Sequence, residues 1–183
     1  QAKKLCPELI FVSSNGARYR EVSEQIRKIF HEYTDLVEPL SLDEAYLDVT
    51  QNKKEMISAT QIAEENQKKI EQKTKLTASA GISINKFLAK VASDYNKPNG
   101  QKTIPPDEVL DFMEALDIRE FHGIGKVTAH KMYRQGIYTG ADLKARTLED
   151  LTSRFGKSGQ YYHNVVRGIH TSEVKSVRIA KSV

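Results

Sequence analysis

Glu38-Pro39-Leu40-Ser41-Leu42-Asp43-Glu44-Ala45-Tyr46-Leu47-Asp48-Val49 is the stretch whose reading decides the fold. Leu40-Ser41-Leu42 and Ala45-Tyr46-Leu47 carry the pattern of a half-buried strand, and the adjacent carboxylates Asp43 and Glu44 interrupt it. Carboxylates beside apolar strand residues are costly unless they are solvated, paired or bound to a cation. Neighbouring strand residues point to opposite faces, so these two converge only at a strand end, a bulge or a tight turn. Pro39 favours such a turn just before the pair. Two hard oxygen ligands suit Mg²⁺, which takes one or two protein carboxylates and completes its shell with water and substrate phosphates. An exposed Asp-Glu at the rim of a hairpin satisfies the same residues without a metal.

Outward from this stretch the elements fall in a definite order. Leu9-Ile10-Phe11-Val12 reads as a strand, Ser13-Ser14-Asn15-Gly16 as a turn, and residues 17–32 as an amphipathic helix with Tyr19, Val22, Ile26, Ile29 and Phe30 on its packed face. After the carboxylate strand, residues 56–70 predict a surface helix with the narrow stripe Ile57, Ile62 and Ile70. Leu76 to Ile82 predicts a central strand whose small residues Ala78, Ala80 and Gly81 admit close packing. Residues 85–92 predict a helix that ends before Asn96-Lys97-Pro98-Asn99-Gly100, and residues 101–104 a last short strand. The pattern is α+β, a split βαβ of ferredoxin-like type: an antiparallel sheet with helices on one face.

Pro105-Pro106 marks a boundary, beyond which every convincing element is helical: residues 107–116, a short element at 118–121, then 127–135, 141–152 and 158–168. Between two of these lies Phe121-His122-Gly123-Ile124-Gly125-Lys126. Two glycines around one apolar residue form a turn whose N–H groups face outward while Ile124 plugs the core. The following helix N-terminus adds free donors, which suits phosphate, and Lys126 adds charge. A plain helix-to-helix turn is the alternative. Lys97, beside a rigid Pro-Asn-Gly turn, is placed to meet a triphosphate as a point charge, though an exposed turn lysine reads the same way.

Composition narrows the classes. The chain has 183 residues, 39% hydrophobic and 28% charged, with a formal net charge of +4. Residues 151–183 hold six basic residues against Glu173 alone, a net +5, which leaves −1 for the first 150. A polyanion would therefore be met at the C-terminal end, unless that end is merely a solvated charged tail. Cys6 is the single cysteine, so an intramolecular disulfide is excluded, and its apolar neighbours predict a packing thiol. No apolar run approaches the ~20 residues that cross a bilayer, no signal peptide opens the chain, and the expected location is the cytoplasm with no membrane partner. Phosphate-binding-loop, dinucleotide and Ser-His-Asp fingerprints are absent from the sequence.

The order Ser41-Leu42-Asp43-Glu44-Ala45-Tyr46-Leu47-Asp48, Ala80-Gly81-Ile82-Ser83-Ile84-Asn85-Lys86-Phe87-Leu88-Ala89-Lys90, Ala92-Ser93-Asp94 to Lys97-Pro98-Asn99-Gly100, and Gly123-Ile124-Gly125 closely resembles the Y-family translesion DNA polymerases. The nearest branch is the bacterial DNA polymerase IV (DinB-like) group. The resemblance implies a partial palm over residues 1–104, a helix-hairpin-helix thumb over 105–171, and a linker with the first strand of the little finger over 172–183. It implies that Asp43 and Glu44 are catalytic metal ligands for Mg²⁺, two ions in the complete enzyme, and that Lys97 binds the nucleotide. Ser41 and Lys90 then lie near the primer end, and Gly123, Gly125 and Lys126 hold the DNA backbone. Implied partners are primer-template DNA, deoxynucleoside triphosphates and, for the full-length parent, a sliding clamp. The family's first metal aspartate, steric gate, fingers and little finger have no counterpart here, so the chain is expected to be inactive alone. A non-catalytic helix-hairpin-helix DNA-binding module is the rival reading.

Overall fold

Side-chain caps set where most of the helices begin. In the computed structural model, which describes residues 1–177, Asn15 accepts a hydrogen bond from the Arg18 amide at 3.1 Å and starts α2 (Gly16–His31), behind a short α1 (Ala2–Leu5). Ser58 accepts from the Gln61 amide and starts α3 (Ala59–Thr74), while Asn85 accepts from the Leu88 amide and starts α4 (Lys86–Tyr95). Because the cap is Ser58, Ile57 falls outside α3 and is fully exposed; the buried stripe is Ile62, Asn66 and Ile70.

The four strands are short: β1 (Val37–Pro39), β2 (Ala45–Leu47), β3 (Ala80–Ile82) and β4 (Gln101–Thr103). β1 and β2 pair antiparallel with Glu38 opposite Tyr46, and β3 and β4 pair parallel with Gly81 opposite Lys102. The α+β class stands, but among the described residues the strands form two separate pairs, and one of them is parallel. The reason is connectivity: α4 lies between β3 and β4 as a crossover helix, and a crossover returns the chain in the same direction. Leu9-Ile10-Phe11-Val12, expected as a strand, pairs with no strand among the described residues; Ile10 and Val12 are more than four-fifths exposed. Cys6, expected to pack, is exposed as well.

Two cores hold these elements. The smaller one joins α2 to α3 through Ile29, Tyr33, Ile62 and Ile70. Tyr33 is fully buried, its hydroxyl donates to Glu65 at 2.7 Å, and Lys54 lies 4.0 Å over its ring. The larger core takes Phe87, Leu88, Val91 and Ala92 from α4 and Ile104 after β4, and continues through Val109, Met113, Phe121, Ile124, Met132, Leu143, Leu151 and Val165. Packing thus runs across the change of secondary structure at Pro105-Pro106. The helical part comprises a 3-10 turn at Pro106–Glu108, α5 (Val109–Ala115), a 3-10 turn at Ile118–Glu120, α6 (Lys126–Tyr133), α7 (Gly140–Lys144), α8 (Leu148–Phe155) and α9 (Lys157–Val165). One helix predicted over 141–152 is in fact α7 and α8, because Thr147 accepts from the Asp150 amide at 3.1 Å and restarts the chain. The little-finger strand expected within 172–183 does not occur over 172–177, and the remaining positions lie outside the described residues.

Candidate active site

Residues 40–44 form the turn of the β1–β2 hairpin, closed by the Leu40 and Ser41 amides donating to the Glu44 carbonyl at 2.9 and 3.3 Å. The carboxylate pair therefore sits in a tight turn and not within a strand. Ser41 organises it: its hydroxyl donates to Asp43 Oδ1 at 2.6 Å and accepts from the Glu44 amide at 3.1 Å. Asp43 is exposed and Glu44 is half-buried, so the first presents its oxygens outward while the second faces α4.

On α4, Lys90 donates to Glu44 Oε1 at 3.0 Å and to Asp94 Oδ2 at 2.9 Å. Its side chain is only 12% exposed, and two carboxylates compensate the part-buried ammonium. Burial would lower the Lys90 pKa, but the bonds to Asp94 and Glu44 outweigh it and raise it. The other Asp94 oxygen meets the Lys97 ammonium at 2.5 Å. Burial pulls Asp94 upward, and its bonds to Lys97 and Lys90 more than reverse this, holding the carboxyl below its ordinary value. Glu44, Lys90, Asp94 and Lys97 therefore make one charge-alternating chain from the hairpin turn to the turn after α4.

The structure thus brings together Ser41, Asp43, Glu44, Lys90 and Lys97. Asp94, which connects them, was not singled out in the sequence; its signal was the spacing, four residues after Lys90 and three before Lys97, that stacks side chains on one helical face. Among the described residues no three His, Cys, Asp or Glu side chains stand together as a metal cluster. Asp43 and Glu44 carry oxygen donors of the hard type that suits a divalent cation, and here the first is bonded by the Ser41 hydroxyl and the second by the Lys90 ammonium.

Gly123, Gly125 and Lys126 form a second group, and no hydrogen bond or ion pair among the described residues joins it to the carboxylate turn. Ile124 is 7% exposed and belongs to the larger core, as its turn position predicts. Gly123 takes a φ of +92°, which L side chains rarely adopt, and Gly125 precedes α6 without a side-chain cap. The first-turn N–H groups of α6 therefore face solvent uncapped, beside a shallow depression lined by Lys126, Val127, His130 and Arg134. Such an end attracts phosphate by dipole and donor geometry together.

A cavity of about 270 Å³ lies between the two parts of the chain, lined by Leu40, Tyr46 and Lys86 on one side and by His122, Tyr161 and His170 on the other. Burial pushes the Tyr161 hydroxyl up to about 12 and pulls His170 down. At its edge Lys86 donates to Glu38 and to the Glu173 carbonyl, both at 2.8 Å, and the Lys175 amide donates to Glu38 at 2.8 Å. The segment after α9 is thereby fastened to β1.

The model of the impB/mucB/samB family matches residues 1–94, and that of the IMS family HHH motif matches residues 106–137. DNA polymerase IV 2 of Agrobacterium fabrum is 57% identical over 182 residues, which cover 100% of this chain and 51% of that protein. DNA polymerase IV of Streptococcus pneumoniae serotype 2 is 51% identical over 183 residues, again 100% of this chain but 52% of its own length. The chain spans about half the length of the relatives it matches. Among solved structures, DinB from Sulfolobus solfataricus superposes with a TM-score of 0.86 at 32% identity, over 96% of this chain and 52% of the other. An insertion ternary complex of Dbh DNA polymerase gives 0.82 at 32% identity, over 95% of this chain and 51% of the other.

Proposed function

The chain belongs to the impB/mucB/samB family, and from that premise we propose that the native polypeptide carrying it is a template-directed DNA polymerase of the low-fidelity translesion type. The observation that carries the proposal is the continuous chain Glu44–Lys90–Asp94–Lys97, which ties a carboxylate turn to a lysine suited to a triphosphate. Nucleotidyl transfer needs both ends of that chain at once.

In this reading Asp43 and Glu44 hold divalent metal, Mg²⁺, with two ions in the complete enzyme. Bound there, a divalent metal would supply charge stabilisation for an in-line displacement at the α-phosphorus of the incoming nucleotide. Ser41 orients Asp43 through its 2.6 Å bond and keeps the turn closed. Lys97 faces the triphosphate, where a compact cation offsets the negative charge of the bound phosphates. Lys90 stands between Glu44 and Asp94 near the primer end and pairs with both carboxylates. Gly123, Gly125 and Lys126 grip duplex backbone through main-chain donors and one charge, without reading sequence.

Residues 1–104 then act as palm, 105–171 as a helix-hairpin-helix thumb, and 172–183 as the linker toward a little finger. The partners are primer-template DNA and deoxynucleoside triphosphates, with a sliding clamp for the native polypeptide, in the cytoplasm. A non-catalytic helix-hairpin-helix module would employ the hairpin but has no use for a lysine braced between two carboxylates.

Primer extension with Mg²⁺ tests the proposal. The native polypeptide is expected to extend a primed template, the 183-residue chain alone to give little or no product, and Asp43→Asn in the native polypeptide to abolish extension. Robust extension by the Asp43→Asn variant overturns the metal role. Duplex binding without any extension by the native polypeptide selects the non-catalytic module instead.

A further inference from the structure

We infer that Asp94 is a positioning residue for nucleotide binding, an inference that rests on the polymerase reading: its carboxylate, fixed by the part-buried Lys90, holds Lys97 where the triphosphate arrives. The geometry assigns the three side chains unequal freedom. Lys90 is 12% exposed and spans Glu44 and Asp94, so it cannot wander. Asp94 sits in the last turn of α4, four residues on, with one oxygen taken by Lys90 at 2.9 Å. Its second oxygen is left to aim at Lys97, whose side chain is half exposed and whose only polar contact among the described residues is this one at 2.5 Å.

An unanchored lysine at that exposure samples many rotamers, and ordering it on substrate arrival costs conformational entropy. Asp94 removes that cost beforehand. An ammonium carries three donors, of which Asp94 takes one and leaves two for phosphate oxygens. The carboxylate also separates two like charges that would otherwise repel, which lets Lys90 and Lys97 stand close together. Were Glu44 to bind a cation instead of Lys90, the 2.9 Å bond to Asp94 would still anchor Lys90.

A merely helix-stabilising Asp94 makes different predictions, and single-nucleotide insertion by the native polypeptide separates the two. Asp94→Asn is expected to raise KM for the incoming nucleotide about tenfold while kcat changes less than about threefold, since the loss is of binding shared by ground and transition states. Asp94→Glu, which keeps the charge, is expected to recover most of the affinity. Lys97→Ala raises KM similarly, and the double variant with Asp94→Asn is expected to be no worse than Lys97→Ala alone, because Asp94 acts through Lys97. Additive effects in the double variant, or a fall in kcat with KM unmoved, overturn the inference. A wild-type polypeptide that extends primers while Asp94→Asn behaves as wild type sinks this inference alone; a wild-type polypeptide that inserts no nucleotide sinks it together with the polymerase reading.

Discussion

Replacing Gly81 by alanine tests how the site is built, because the residue lies where β3 touches α4. A Cβ added there would stand 2.0 Å from the Ala89 carbonyl oxygen, 2.3 Å from the Ser93 amide nitrogen and 2.8 Å from the Ala92 carbonyl carbon. All three are backbone atoms of one helix, so no side-chain rotation relieves the overlap. To restore ordinary contact, α4 must withdraw from β3 by roughly 1 Å or more. Overpacking of a well-packed contact costs about 1–3 kcal/mol, and the upper end applies where only backbone can move. For a chain of this size about 3 kcal/mol lowers the melting temperature by roughly 6–12 °C. The same withdrawal lengthens the 3.0 Å bond from Lys90 to Glu44 past hydrogen-bonding range, since Lys90 lies between the displaced residues. Misplacement of about 1 Å in such a site costs on the order of 100-fold in rate. Thermal and urea melts of the 183-residue chain, with primer extension by the native polypeptide, read both effects. A Gly81→Ala variant with an unchanged midpoint and full extension would refute the close-approach reasoning.

Gly125→Ala inverts that pattern: a Cβ there meets nothing within 4 Å and φ is −78°, so stability should change by less than about 1 kcal/mol, while duplex affinity at fixed salt drops several-fold. Equal duplex affinity of the two proteins would remove the hairpin from the DNA contact. Lys86→Met leaves Glu38, whose side chain is 22% exposed, with the Lys175 amide as its remaining partner, at a cost of about 2 kcal/mol. Hydrogen exchange at the Lys175 amide should accelerate, and an unchanged rate would show that the segment after α9 is held by something else. Asp117 is held down to about 2 by the Arg119 guanidinium, with further bonds from the Arg119 amide and the Tyr133 hydroxyl. Its folded pKa lies below the unfolded value of 3.8, so its contribution is present above about pH 4 and is lost as pH falls toward 2. The carboxyl is more than a third exposed, and screening reduces that contribution to roughly 1 kcal/mol. Asp117→Asn should therefore flatten the stability profile between pH 4 and 2, and an unaltered slope there would contradict the assignment.

Much of the fold is legible in the sequence because its causes are local. Asn15, Ser58 and Asn85 start helices by bonding the amide three positions on, and the apolar period of Ile62 and Ile70 selects the buried face. Likewise Pro39 and the interrupted alternation at Asp43-Glu44 call for a turn, and the turn lies there. Leu9 to Val12 reads as a strand by composition alone, but a strand exists only with a partner edge, and that is not a local property. The split of 141–152 into two helices hinged on a single cap at Thr147, inside a segment whose periodicity did not break.

By itself, then, the sequence determined the α+β order, the carboxylate turn, the plugged Gly123-Ile124-Gly125 hairpin and the lysines worth watching. Only the tertiary structure decided which of these side chains act together. Glu44 and Lys90 are 46 residues apart in the chain and 3.0 Å apart in space, and no periodicity encodes that distance. It is set by α4 packing onto β3 at Gly81 and into the larger core through Phe87, Leu88 and Val91. Local rules fix torsion angles within a turn or two of helix, whereas a site is fixed by the burial of the faces opposite to it.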